Sequence, residues 1–278
     1  MAIFLALLSS AMWGTSDFCG GTLSRRRPAM AVVTFSSVIG VTAVLIGAAV
    51  TGKFTAGTGY IGWGLLAAVA GSIGIVSFYQ ALATGTMGVV APIAALGVVV
   101  PVVVGLAQGN RPSVAQDLGI AIAIVGVVLA SGPELQRGDD TRSAARPLLL
   151  AGVAAAGFGI VFVALAHGAE SSTAMTLLVM RATSAVVMTG LSLATATSLR
   201  ITRSELPLLL VVGLFDLGAN VTFAYASRHG LLAVVSVLSS LYPAVTVVLA
   251  RIVHAERLGR VQLAGVIGAV AGVVLIAS

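Results

Sequence analysis

Charge is the scarcest thing in this 278-residue chain. Lys and Arg number 15 and Asp and Glu nine, together 9% of residues, where a soluble domain carries about 25%. So few charged groups cannot cover a water-facing surface, which excludes a soluble globular protein. Cysteine is nearly absent too. Cys19 stands alone, so neither an intrachain disulfide nor a cysteine metal cage can form. His167, His229 and His254 are scattered at span ends, where an isolated histidine is ordinarily solvated. No pair has metal-ligand spacing, and no cofactor or metal is expected. Aromatics reach only 5%, which argues against a haem- or quinone-rich electron carrier. No G-x-x-x-x-G-K-[ST] loop occurs and no loop could hold a nucleotide-binding domain, so ATP-driven transport by this chain alone is not expected. The only long polar stretch is 131–146, SGPELQRGDDTRSAAR.

What is present is apolar. Hydrophobic residues make up 58% and the mean hydropathy is +1.10. Turn residues and charges cut the chain into ten apolar runs, at 2–23, 29–50, 60–83, 87–108, 114–132, 147–168, 172–198, 206–227, 231–250 and 261–277. Each matches a hydrocarbon core about 30 Å thick at about 1.5 Å per helical residue. The runs are continuously apolar, whereas barrel strands alternate, and a helix satisfies its own backbone in lipid. The expected fold is an all-α integral membrane protein of ten transmembrane helices. The first run lacks a basic leader and continues past residue 20, so it reads as a retained span rather than a signal peptide. The net charge of +6 sits in short loops, where it reads as orientation in the bilayer and not as a nucleic-acid interface.

The chain repeats itself. Asn110, Arg111, Gln116, Gly119, Gly126 and Leu129 correspond to Glu256, Arg257, Gln262, Gly265, Gly272 and Leu275, each at an offset of 146, which Tyr79 and Tyr225 share. This gives a first repeat over 1–132, a polar linker over 133–146 and a second repeat over 147–278. An odd number of spans per repeat starts the second copy on the opposite side. The two five-helix halves are therefore expected to be inverted around a central cavity, an arrangement common in secondary transporters.

Several segments resemble a known family. They are Leu-Gly-Val-Val-Val-Pro (96–101), Asn-Arg-Pro-Ser (110–113), Leu-Tyr-Pro-Ala-Val-Thr-Val (241–247) and Ala-Glu-Arg-Leu with Gln-Leu-Ala-Gly (255–265). Ala-Met-Trp-Gly-Thr-Ser-Asp-Phe (11–18) and Tyr-Gln-Ala-Leu (79–82) belong with them. Together they are similar to the EamA-type repeats of the drug/metabolite transporter superfamily, over essentially the whole chain. The pattern departs from the family's Gly-Glu-Arg at Asn110 in the first copy and at Ala255 in the second. The resemblance implies a multi-pass protein of the plasma (inner) membrane, with a central cavity between the halves. It also implies alternating-access transport of a small organic solute such as an amino acid or drug, and not an enzyme. An integral-membrane enzyme acting on lipid or peptide would need clustered catalytic groups, and none is seen.

Charges inside spans are costly and point to function. Three qualify: Asp17, Arg181 and Asp216. Arg181 and Asp216 lie at similar depth on consecutive spans and can pair, either as a static ion pair or as a cavity wall that binds a solute or relays a proton. Asp216 and Asn220 share a helix face. Trp13, Ser16 and Asp17 form a stripe at i, i+3 and i+4, readable as a cavity wall, with Asp17 otherwise reaching the interface. Tyr79, Gln80 and Tyr225 lie near span ends, where aromatics act as interfacial anchors; the resemblance offers them a substrate-binding role. Pro92, Pro101 and Pro243 fall within the fourth and ninth spans, where a proline kinks a helix, as a fixed bend or a gating hinge. Gly268 and Gly272 allow close helix approach, within one chain or in a homodimer. Ser113 and Gln116 have capping-box spacing.

Orientation has two readings. Odd-numbered loops carry Arg25, Arg26, Arg27, Arg137, Arg142, Arg146, Arg200, Arg203, Arg251, Arg257 and Arg260, against Lys53, Arg111 and Arg228 in the even ones. The positive-inside rule then places both termini outside, whereas the resemblance implies cytoplasmic termini.

Overall fold

The computed structural model describes residues 1–52, 57–84, 87–109, 111–130, 141–254 and 260–277. Lys53, Asn110, linker residues 133–140 and the Ala255, Glu256 and Arg257 motif lie outside the described residues. Eleven α-helices run along the described chain: α1 Ala2–Ser24, α2 Ala29–Thr51, α3 Ile61–Thr84, α4 Met87–Ala95, α5 Val99–Ala107 and α6 Val114–Ala130. They continue with α7 Thr141–Ala194, α8 Leu206–Ser227, α9 Leu232–Ser239, α10 Tyr242–His254 and α11 Arg260–Ala277. No strand occurs among the described residues.

Local chemistry sets the helix ends. Pro28 leads into α2, and Gly52 ends it in the left-handed conformation (φ 62°), its N–H donating to the Ala48 carbonyl. Ser113 and Gln116 form the expected capping box, with reciprocal hydrogen bonds of 3.0 and 3.2 Å. Thr202 and Glu205 form another ahead of α8.

The helices depart from the ten-run reading in three places. Among the described residues, five are long and apolar enough to cross a membrane by length and composition: Ala2–Ser24, Ala29–Val50, Ile61–Thr84, Arg146–Ala194 and Arg203–Ser227. The fourth run is not one helix. A 3₁₀ turn at Leu96–Val98 separates α4 from α5. The ninth is divided between α9 and α10. The sixth and seventh share α7, which breaks at Ser172 (φ −166°, ψ 110°). There the Ser172 hydroxyl accepts from the Met175 N–H at 3.3 Å, capping the second limb of α7.

The prolines stand differently from a mid-helix kink. Pro101 is the third residue of α5 and Pro243 the second of α10. In a first turn the missing N–H has no intrahelical partner to lose. These two prolines therefore start helices after the breaks, while Pro92 lies inside α4.

Polarity is arranged for an apolar solvent. Val50, Val186 and Ile252 are more than 70% exposed, whereas Asp17 and Arg181 are each 5% exposed and Asn220 2%. Lipid tails take the aliphatic side chains and the interior keeps the polar ones.

The helices of the two halves pack across each other: α1 lies along α8, α3 along α7, and α6 along α11. Small residues permit this. A Cβ on Gly157 would come within 2.6 Å of the Ala70 carbonyl oxygen, and one on Gly14 within 2.5 Å of the Tyr242 carbonyl oxygen. Gly272 packs against the α6 backbone at Ala123, and Gly268 faces Gly126. The small-residue pair thus serves packing inside this chain.

Candidate functional site

The site grows from α8. Asp216 lies ten residues into that helix, about 15 Å from its start. Its side chain cannot reach water at either end and must be satisfied where it stands. The Arg181 guanidinium, on the second limb of α7, meets it at 2.6 Å between Nη1 and Oδ2. The Trp13 indole on α1 donates to Oδ1 at 3.1 Å. Asn220, one turn along α8, donates Nδ2 to the Asp216 carbonyl at 2.6 Å and to Oδ1 at 3.2 Å. One carboxylate therefore ties together α1, α7 and α8.

Aromatic packing fixes the Trp13 ring. Phe162 meets it edge-on with centroids 5.4 Å apart, and Phe223 lies tilted at 5.9 Å. Gly40 on α2 leaves room for the arginine stem, since a Cβ there would approach Arg181 Cδ to 3.0 Å.

Beside this network lies a cavity. Trp13, Asp17, Tyr79, Arg181, Asp216 and Asn220 all line it. Asp17 is buried and accepts no hydrogen bond among the described residues; the charge that acts on its carboxyl is that of Asp216. Among its lining residues the cavity holds two carboxyl groups, those of Asp17 and Asp216, and one guanidinium, that of Arg181.

Tyr79 differs from an interfacial anchor. It is 1% exposed, and its ring lies so tightly over Gly20 that a Cβ there would collide with the ring and hydroxyl. Its hydroxyl sits beside Ser16. Asp17 is likewise inside rather than at the interface.

Three of the expected site residues do not line the cavity. Ser16 donates to the Val212 carbonyl at 3.0 Å, and Ser9 does the same to Ala219 at 2.9 Å, so both join α1 to α8. Gln80 is half-buried and outside the lining. Tyr225 also lies outside, its carbonyl accepting from His229 Nδ1 at 2.8 Å. Nor is His167 merely solvated. It stacks on Trp63 at 4.8 Å and its Nε2 lies 2.7 Å from Gln108 Nε2.

The cavity also has walls that the sequence reading overlooked. Tyr242, the first residue of α10, reaches in from the ninth-run break. Ser36, Ser72 and Ser184 add hydroxyls from α2, α3 and α7. Ser72 donates to Ser184 at 3.1 Å, and Ser36 to the Val33 carbonyl at 3.0 Å. Phe158 and Phe162 supply an apolar face. The available signal was the hydroxyl residues inside otherwise apolar runs and the Tyr-Pro pair beside a helix break.

Comparison with known proteins agrees with this architecture. No curated protein matches the chain in sequence. Among solved structures 26 chains match. One, a crystal structure of a protein, superposes with a TM-score of 0.81 at 16% identity, covering 99% of this chain and 94% of that one. The model of the EamA-like transporter family matches residues 1–132 and again 145–278. With its apolar helices and two family repeats, this multi-pass membrane chain belongs to the EamA-like transporter family of the drug/metabolite transporter superfamily.

Proposed function

We propose that the protein is a secondary transporter, not an enzyme, which moves a small organic solute across the plasma membrane by alternating access with proton coupling. The observation that carries this reading is the Arg181–Asp216 pair, with Trp13, Asn220 and the buried Asp17, on the wall of a central cavity. Burying three charges in an apolar fold is costly. Together with the cavity they face, this supports a solute site at Trp13, Asp17, Tyr79, Arg181, Asp216 and Asn220.

In this reading all ten apolar runs cross the bilayer, with α4–α5 and α9–α10 as two broken spans and α7 as two crossings. The breaks fall in corresponding runs of the two halves, the pattern expected around a transporter site. The packing is reciprocal as well. The first run pairs with the eighth through α1 and α8, and the sixth pairs with the third through α7 and α3. Exchanging the halves maps one pair onto the other, which supports inverted five-helix repeats. Pro92, Pro101 and Pro243 stand in or beside the broken spans, which supports a gating role for them.

The test is solute-driven proton movement. Proteoliposomes containing the full chain and a pH-sensitive dye are challenged with amino acids, nucleosides, nucleotide sugars and cationic drugs in turn. At least one class is expected to collapse an imposed pH gradient in wild-type vesicles but not in Asp17→Asn vesicles. Labelled-solute counterflow that leaves the gradient untouched would retain transport and remove the coupling. No flux of any class would end the reading.

A further inference from the structure

The cavity is lined by buried polar groups that the fold leaves without partners. Arg181 gives Nη1 to Asp216, but its Nε and Nη2 have no hydrogen-bond partner and the residue is 5% exposed. The Tyr242 hydroxyl, on a residue 4% exposed, has none either. These are donors. Asn220 spends its amide on Asp216 and leaves Oδ1 unpartnered, and the buried Asp17 lines the cavity with no hydrogen bond to its carboxyl among the described residues. These are acceptors, one of them a carboxyl group.

The four groups come from α7, α10, α8 and α1, so one helix shift does not satisfy them together. Nearby serines do not complete the set, because Ser72 and Ser36 already direct their protons at Ser184 and at the Val33 carbonyl. A buried polar group without a partner is costly. A ligand that carries the complementary groups removes that cost at both ends.

We infer that the site takes a zwitterion. Its oxyanion lies on the Arg181 guanidinium and its cationic nitrogen on Asp17, with the Tyr242 hydroxyl and Asn220 Oδ1 as further polar contacts. A monocation leaves the guanidinium edge unmet, and a monoanion meets an uncompensated Asp17. The apolar face at Phe158 and Phe162 accommodates the uncharged remainder of the solute. This inference rests on the transporter reading and narrows its substrate class.

The test is thermal stabilisation of the purified full chain by matched probes. Glycine, leucine, β-alanine and 4-aminobutyrate are each compared with their methyl ester, a monocation, and their N-acetyl derivative, a monoanion. At least one zwitterion is expected to raise the Tm while its two derivatives do not, and Asp17→Asn to abolish that shift. Tyr242→Phe removes only an unpartnered hydroxyl. It is expected not to lower the unliganded Tm and to raise the half-maximal concentration by about threefold to tenfold, the effect of one lost hydrogen bond.

Stabilisation by an ester or N-acetyl derivative as strong as by its parent would overturn the inference. So would an absent response to every zwitterion, or an unchanged half-maximal concentration in Tyr242→Phe. Counterflow of an ester by vesicles that ignore all zwitterions would overturn the charge assignment while leaving transport intact. An absence of flux for every solute would overturn the transporter reading itself.

Discussion

Arg181 and Asp216 close to 2.6 Å across the interface between α7 and α8, and the carboxylate that holds the arginine also accepts from Trp13 on α1. A single acidic side chain thereby fixes the relative position of three helices. The arginine side chain is 6% exposed and the aspartate 23%, so the pair borders the cavity rather than sitting in dry core.

Breaking one partner strands the other. Asp216→Asn and Arg181→Met are each expected to destabilise the protein by about 2–4 kcal/mol, reduced from the 3–5 kcal/mol of fully buried pairs by the exposure of Asp216. The double variant Arg181→Met/Asp216→Leu recovers part of this loss, because no charge is left unpaired. Thermal unfolding in detergent measures both; equal losses in single and double variants would contradict the pairing account.

The two acids should separate by phenotype. Asp17 accepts no hydrogen bond among the described residues, so Asp17→Asn is expected not to lower the Tm and to lose pH-gradient-driven uptake. Asp216→Asn loses both. Uptake assays paired with unfolding curves decide the matter, and undiminished uptake for both variants would remove the proton role.

Glycines should divide by what a Cβ would meet. At Gly14 the obstacle is the Tyr242 backbone oxygen at 2.5 Å and Val245 Cβ at 2.6 Å, neither able to swing away. Gly14→Ala must therefore push α1 from α10, with a loss of about 1–3 kcal/mol as for overpacked cores. At Gly190 nothing lies within 4 Å. Gly190→Ala is expected to be neutral or to stabilise by about 0.5–1 kcal/mol through helix propensity. Tm values for the two variants should move in opposite directions or differ by several degrees.

At one end of the bundle Arg27 Nε meets Glu205 Oε1 at 2.8 Å. Both side chains touch solvent, so a double-mutant cycle is expected to give about 0.2–1 kcal/mol, screened by salt. Thr202→Ala costs about 1 kcal/mol more directly, since it removes the capping hydroxyl ahead of α8. A coupling above the surface range would mean that the pair acts as a structural latch.

The sequence alone determined the solvent and the repeat. Scarce charge and long apolar runs admit only helices whose backbone bonds are internal, and the 146-residue offset is a property of the string. It also picked out Asp17, Arg181 and Asp216, because an ionised group within an apolar run is visible without coordinates. Tertiary structure decided which groups face each other. Ser16 and Asp17 are neighbours in the chain, yet Ser16 spends its hydroxyl on the α8 backbone while Asp17 opens to the cavity. Gln80 lies outside the cavity lining, whereas Tyr242, for which chain position suggested no role, lines it from the helix break at Ser240 and Leu241. In an all-round apolar helix the pattern carries almost no facing signal, since lipid and protein interior are equally oily. Side-chain direction is then set by the neighbouring helices, through small residues such as Gly14 and Gly157 that let particular faces meet.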